Sequence, residues 1–176
     1  ADFFKLLVQR RIIGKNAGLN SFSGWNTFLG PNAGQFNTSG QHNVFVGYRA
    51  GEDNTTPNNN VYIGSESGAN NAGGGFNVFM GSRTGYVNST GHSNTFLGHE
   101  AGTQNTTGYR NSFLGYHAGH NNEVSFENTF LGFSAGYNNE ANRNTFIGYE
   151  AGLANRTGLY NTVIGGEAAG TNLGNK

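Results

Sequence analysis

The chain has 176 residues, of which 35% are hydrophobic, 11% charged and 13% aromatic, and 30 are glycine. That apolar fraction is low for a packed globule of this size, yet so little charge with so many aromatics is wrong for a disordered chain. A formal net charge of zero gives no general pull toward nucleic acid or an anionic membrane, and the absence of cysteine excludes disulfides and thiolate metal sites.

Residues 1–9 carry the apolar stretch Phe3, Phe4, Leu6, Leu7 and Val8, expected to form a cap or a neck ahead of a repeat domain over 10–176. The nearby basic cluster of Lys5, Arg10, Arg11 and Lys15 reads as a solvated terminus. The start, Ala1-Asp2, has neither Met nor a signal-peptide pattern, and no capping segment follows the last repeat, so a fragment of a longer protein is expected. No apolar run approaches the ~20 residues of a membrane helix, so no membrane insertion by this fragment is expected.

From Arg10 onward a short tract recurs. It appears as RRIIG from Arg10, NTFLG from Asn26, NVFVG from Asn43, NVYIG from Asn60, NVFMG from Asn77 and NTFLG from Asn94. It continues as NSFLG from Asn111, NTFLG from Asn128, NTFIG from Asn144 and NTVIG from Asn161. The step is 17 residues, shortened to 16 before Asn26 and before Asn144. A fixed short period is the signature of stacked coils. The predicted fold is all-β, a parallel β-roll or β-solenoid of about ten 17-residue coils. At ~4.8 Å per coil it forms a rod roughly 48 Å long.

Counting the first Asn as position one, positions two to four carry the β-branched, aromatic and aliphatic residues of a strand, and Gly closes it at position five. Position eight is small (Ala33, Ala101 and Ala151, but Ser67 and Thr84), suggesting an opposing wall close to the strand. Position twelve is Asn from Asn37 to Asn172, read with position one as corner chemistry able to form ladders. Five of these begin a glycosylation sequon (Asn37, Asn54, Asn88, Asn105 and Asn155), which the period explains as turn chemistry. Position seven alternates Arg49, Glu66, Arg83 and Glu100, the pattern of cross-coil ion pairs in an in-register stack.

Positions two and four share one face of the strand and position three takes the other. Position three is an aromatic ladder: Phe28, Phe45, Tyr62, Phe79, Phe96, Phe113, Phe130 and Phe146, ending in Val163. Both faces are apolar and one coil has one interior. Because a narrow tube with Ala opposite has little room for a Phe in every coil, the expectation is Thr/Leu inside. The eight aromatics would then face outward as the seam of a side-by-side homotrimer.

The tract [LIVM]-G-x-x-[AST], as in Ile63-Gly64-Ser65-Glu66-Ser67 and Ile147-Gly148-Tyr149-Glu150-Ala151, resembles the head repeats of YadA-like trimeric autotransporter adhesins. It is also similar to repeats of bacterial surface-fibre and phage tail-fibre proteins. The resemblance implies a left-handed parallel β-roll, three chains side by side, at the tip of an extracellular or cell-surface fibre. The family's usual period is shorter, and its strand has Ala where this chain has Phe.

The expected function is therefore non-enzymatic: an adhesive or structural head that binds a host, prey or matrix surface through a protein or glycan. The residues expected to make contacts are Tyr48, Tyr116, Phe133 and Tyr149 at position six. Alternatives are a phage tail-fibre receptor-binding domain and an ice-binding β-solenoid. The latter would use the Thr row of position two (Thr27, Thr95, Thr129, Thr145 and Thr162) and would require the aromatics inside. No catalytic constellation, cofactor or metal site is expected: Asp2 and Asp53 are the only Asp, and no phosphate loop or nucleophile set stands out. Of the five His, only His99, His117 and His120 can approach one another, and they read as exposed turn residues.

Overall fold

The computed structural model describes residues 10–170; the cap or neck expected over 1–9 lies outside them, as does Asn172. Ten short strands form a single parallel sheet whose spatial order is the chain order. They are β1 (Arg10–Ile13), β2 (Asn26–Leu29), β3 (Val44–Val46), β4 (Val61–Ile63), β5 (Val78–Met80), β6 (Thr95–Leu97), β7 (Ser112–Leu114), β8 (Thr129–Leu131), β9 (Thr145–Ile147) and β10 (Thr162–Ile164). Each strand pairs with the next at the register set by the sequence period, so Phe28 lies beside Phe45, Phe45 beside Tyr62 and Phe130 beside Phe146. The chain is a β-solenoid. The rest of each coil is turns whose backbone groups bond to the coil above, as Gly34 N–H does to Ala50 and Gly51 N–H to Ser67.

The facing of the strand is the reverse of the sequence expectation. Phe28, Phe45, Tyr62, Phe79, Phe96, Phe113, Phe130 and Phe146 are 0–1% exposed inside the single chain, so they form the core and not an intermolecular seam. Their rings stack at centroid separations of 4.6 Å (Phe96 to Phe113) to 5.1 Å (Phe28 to Phe45), nearly parallel throughout. The tube accommodates a Phe in every coil because a ring is flat. Stacked along the rod axis, one aromatic takes only about the ~4.8 Å that one coil supplies.

Width is made by the opposite wall. Ala33, Ala50, Ala101, Ala118, Ala135 and Ala151 at position eight are buried against the rings. Position nine is Gly in most coils with φ near +58°, and a Cβ at Gly102 would lie 2.4 Å from the Phe96 ring. Position five is stricter still: at Gly98 (φ +132°) a Cβ would lie 2.3 Å from the Gly115 carbonyl of the next coil. Among residues other than glycine, the left-handed conformations fall mostly at position seven and at the last position of the coil, as in Glu100 (φ 55°) and Arg110 (φ 54°), not at the Asn of positions one and twelve.

The Asn residues are instead interior hydrogen-bonding ladders. Asn43 N–H donates to Asn26 Oδ1 and Asn60 N–H to Asn43 Oδ1, each at 2.9 Å, and the pattern continues to Asn161. The amide nitrogen of Asn94 donates to the Gly108 carbonyl at 2.8 Å. Position twelve forms a second ladder, with Asn54 Nδ2 donating to Asn37 Oδ1 at 3.1 Å and Asn88 Nδ2 to Asn71 Oδ1 at 2.6 Å. Burying two amides per coil is tolerated because nearly every polar atom finds a partner. The sequon residues Asn37, Asn54, Asn88, Asn105 and Asn155 are all buried here, so the folded coil presents none of them to a glycosylating enzyme.

Candidate functional site

With the aromatics inside, positions two and four form the outer face of the sheet. Leu29, Met80, Leu114, Leu131 and Ile164 are exposed there, Leu114 by 48%, beside the Thr and Val of position two. From β2 to β10 this face carries no charged residue. Its central part includes a shallow apolar groove of about 290 Å³ over β6, β7 and β8, lined by Thr95, Leu97, Ser112, Leu114, Thr129 and Leu131. This is the face that the sequence expectation places in the interior. Its presence was legible in the alternation of the strand, but its direction was not.

Round the corner, position six presents a second surface. Tyr116, Phe133 and Tyr149 stack in consecutive coils at 5.1 and 5.3 Å, and His99 continues the stack at 5.3 Å from Tyr116. All of these side chains are exposed, Tyr149 by 51%. Tyr48 is exposed as well but stands apart, because Ser65 and Ser82 occupy position six in the coils between. Three of the four residues expected to make contacts are thus brought together and one is not.

Beside this ladder runs the charge row of position seven, as the alternation predicts. Arg49 Nη1 lies 3.0 Å from Glu66 Oε1, Arg83 Nε 3.8 Å from Glu66 Oε2, and Arg83 Nη1 3.1 Å from Glu100 Oε1. At this exposure each pair is worth at most ~1 kcal/mol, so the row fixes register more than stability. A second row, at the last position of each coil, joins Arg110 to Glu127 at 3.1 Å and Arg143 to Glu127 at 2.8 Å.

At its end the position-seven row changes chemistry. The next residue is His117, whose Nε2 lies 3.1 Å from Glu100 Oε2, and His120 Nε2 approaches the same oxygen at 3.5 Å. One ligand atom from each of His99, Glu100 and His117 lies within 4.8 Å of the others. Burial and the neighbouring His120 hold the His117 imidazole below its usual pKa, against the opposing pull of Glu100. Burial alone would raise Glu100, but Arg83 and the three histidines outweigh it and keep the carboxylate below its ordinary range. The three histidines expected to approach one another do meet at this corner, but only His99 is the exposed turn residue expected; His117 and His120 are half-buried against the Glu100 carboxylate. The sequence period stacks like positions, but it does not show that positions six, seven and ten meet across a turn.

No protein-family model, curated protein or solved structure matches this chain. Among the described residues, no helix is long and apolar enough to cross a membrane.

Proposed function

We propose that this chain is a non-enzymatic structural and adhesive segment of an extracellular fibre, in which three copies pack side by side through the outer faces of their sheets. The observation that carries this reading is the uncharged Thr/Leu face of β2 to β10, exposed along the rod. A long contiguous apolar strip marks an interaction surface. Another copy of the same chain suits it best, because only a partner with the same coil spacing keeps its side chains in step over the full length. The resemblance to trimeric adhesin heads supports the same assembly.

In such a rod the position-six ladder of Tyr116, Phe133 and Tyr149 is the surface for a protein or glycan partner on a host, prey or matrix. Stacked aromatics expose apolar edges and hydroxyls at low conformational cost. Overlaying the purified chain on glycan and matrix-protein arrays tests this part. Retention that Phe133→Ala and Tyr149→Ala remove is expected, whereas retention on no array element contradicts adhesion. The same architecture would serve a phage tail fibre, with a bacterial surface as the partner.

A second reading, an ice-binding solenoid, is favoured by one observation: the burial of the aromatics leaves the Thr of position two on a flat outer face. Against it, Val44, Val61 and Val78 interrupt the row, and position four is aliphatic throughout. Thermal hysteresis in the purified chain would support this reading, and growth of ice crystals at the equilibrium freezing point would remove it.

A further inference from the structure

We propose that His99, Glu100 and His117 form a surface binding site for one borderline divalent transition ion, of which Zn2+ is the type. The argument starts from the donors. Two imidazoles and one carboxylate are a nitrogen-rich set suited to Zn2+, Ni2+, Cu2+ or Co2+, and too poor in oxygen for Ca2+ or Mg2+.

Ligands around a tetrahedral ion bound at ~2.0–2.1 Å stand roughly 3.3–3.4 Å apart. His117 Nε2 and Glu100 Oε2 are already 3.1 Å apart, close to one edge of such a tetrahedron. His99 completes the set, its ligand atom lying within 4.8 Å of the other two. Its ring is exposed on one face and stacked on Tyr116 on the other, which orients it at the corner. The fourth position is left to water; His120 Nε2, 3.5 Å from the same carboxylate oxygen, borders the set without belonging to it.

The surroundings match those of a ligand-orienting shell. Arg83 binds Glu100 through Oε1 at 3.1 Å, which leaves Oε2 turned toward the imidazoles. Glu66, 3.8 Å beyond, offsets the charge of Arg83. His120 Nδ1 is engaged by Asn121 Oδ1 at 2.7 Å, which fixes its ring with Nε2 facing the site. The backbone keeps these side chains on one corner, because consecutive coils stack positions six and seven in register. His117 N–H bonds the His99 carbonyl at 3.0 Å.

The test is calorimetric titration of the intact chain with Zn2+ at neutral pH, with Ca2+ in parallel and Co2+ absorption as a second readout. Saturation at one Zn2+ per chain is expected, with no heat from Ca2+ and with the visible bands of tetrahedral Co2+. His117→Ala and His99→Ala should each weaken Zn2+ binding by at least about tenfold, and Arg83→Gln by roughly tenfold through the freed carboxylate. His42→Ala and His92→Ala, at histidines outside the cluster, should leave it unchanged. Circular dichroism identical to the parent separates loss of ligands from loss of fold. Absence of saturable Zn2+ binding, or a folded His117→Ala variant that binds as the parent does, would overturn the proposal.

Discussion

The two faces of one three-residue strand carry nearly the same hydrophobicity and meet opposite fates. In β6, Phe96 is fully buried and stacked between Phe79 and Phe113, while Leu97 next to it looks outward. Hydrophobicity alone does not separate them. Shape does: a flat ring fits the rise of one coil and lies against a glycine on the opposite wall, whereas a branched aliphatic side chain would leave the tube underfilled. The inner face therefore builds the fold within one chain, and the outer face stays at the surface, where the proposed trimer would use it.

Changes on the inner face should act on folding. Phe96→Asp places an unpaired charge in the ladder, and loss of the cooperative thermal transition is expected by circular dichroism. Survival of that transition would contradict an internal ladder. Asn94→Ala should cost about 3 kcal/mol in denaturant unfolding. It leaves the buried Asn111 N–H without its 2.9 Å acceptor and the Gly108 carbonyl with only the Asn105 amide, at 3.2 Å, and it empties the volume of a buried side chain.

Tyr62 sharpens the same comparison in the other direction. Its hydroxyl points toward the Asn71 and Asn77 amides inside the core without completing a hydrogen bond to either, and burial pushes its ionisation far up. Tyr62→Phe makes the ladder uniform and should raise stability by about 1 kcal/mol. On the outer face, Leu114→Asp should leave the strand signature of an isolated chain intact while dispersing the proposed trimer, since a charge there meets water in the single chain.

Much of the fold was legible because the sequence repeats. The step between Asn26 and Asn43 predicts the pairing of Phe28 with Phe45, and the alternation of Arg49, Glu66, Arg83 and Glu100 predicts the ion-pair row. The positions of the closing glycines announce the close approach of consecutive coils. Facing was not legible. A period of two separates Phe96 from Leu97 but does not choose the interior, which depends on ring thickness against coil rise and on what Gly102 leaves open.

The Asn of positions one and twelve were recognisable as ladder formers, though they line the core instead of shaping corners. That outcome depends on side-chain partners such as the Gly108 carbonyl, fourteen residues along the chain from Asn94. The histidine corner was the least legible feature. Glu100 and His117 differ by one period, but His99 and His120 join them from other positions of the coil.

The most direct test of the division between faces is the solution mass by sedimentation equilibrium, measured for the parent and for Leu114→Asp. The account predicts a parent of three times 18.7 kDa and a folded Leu114→Asp chain at a single 18.7 kDa. A parent that sediments as a folded monomer, or a Leu114→Asp chain that keeps the mass of the parent, would contradict it.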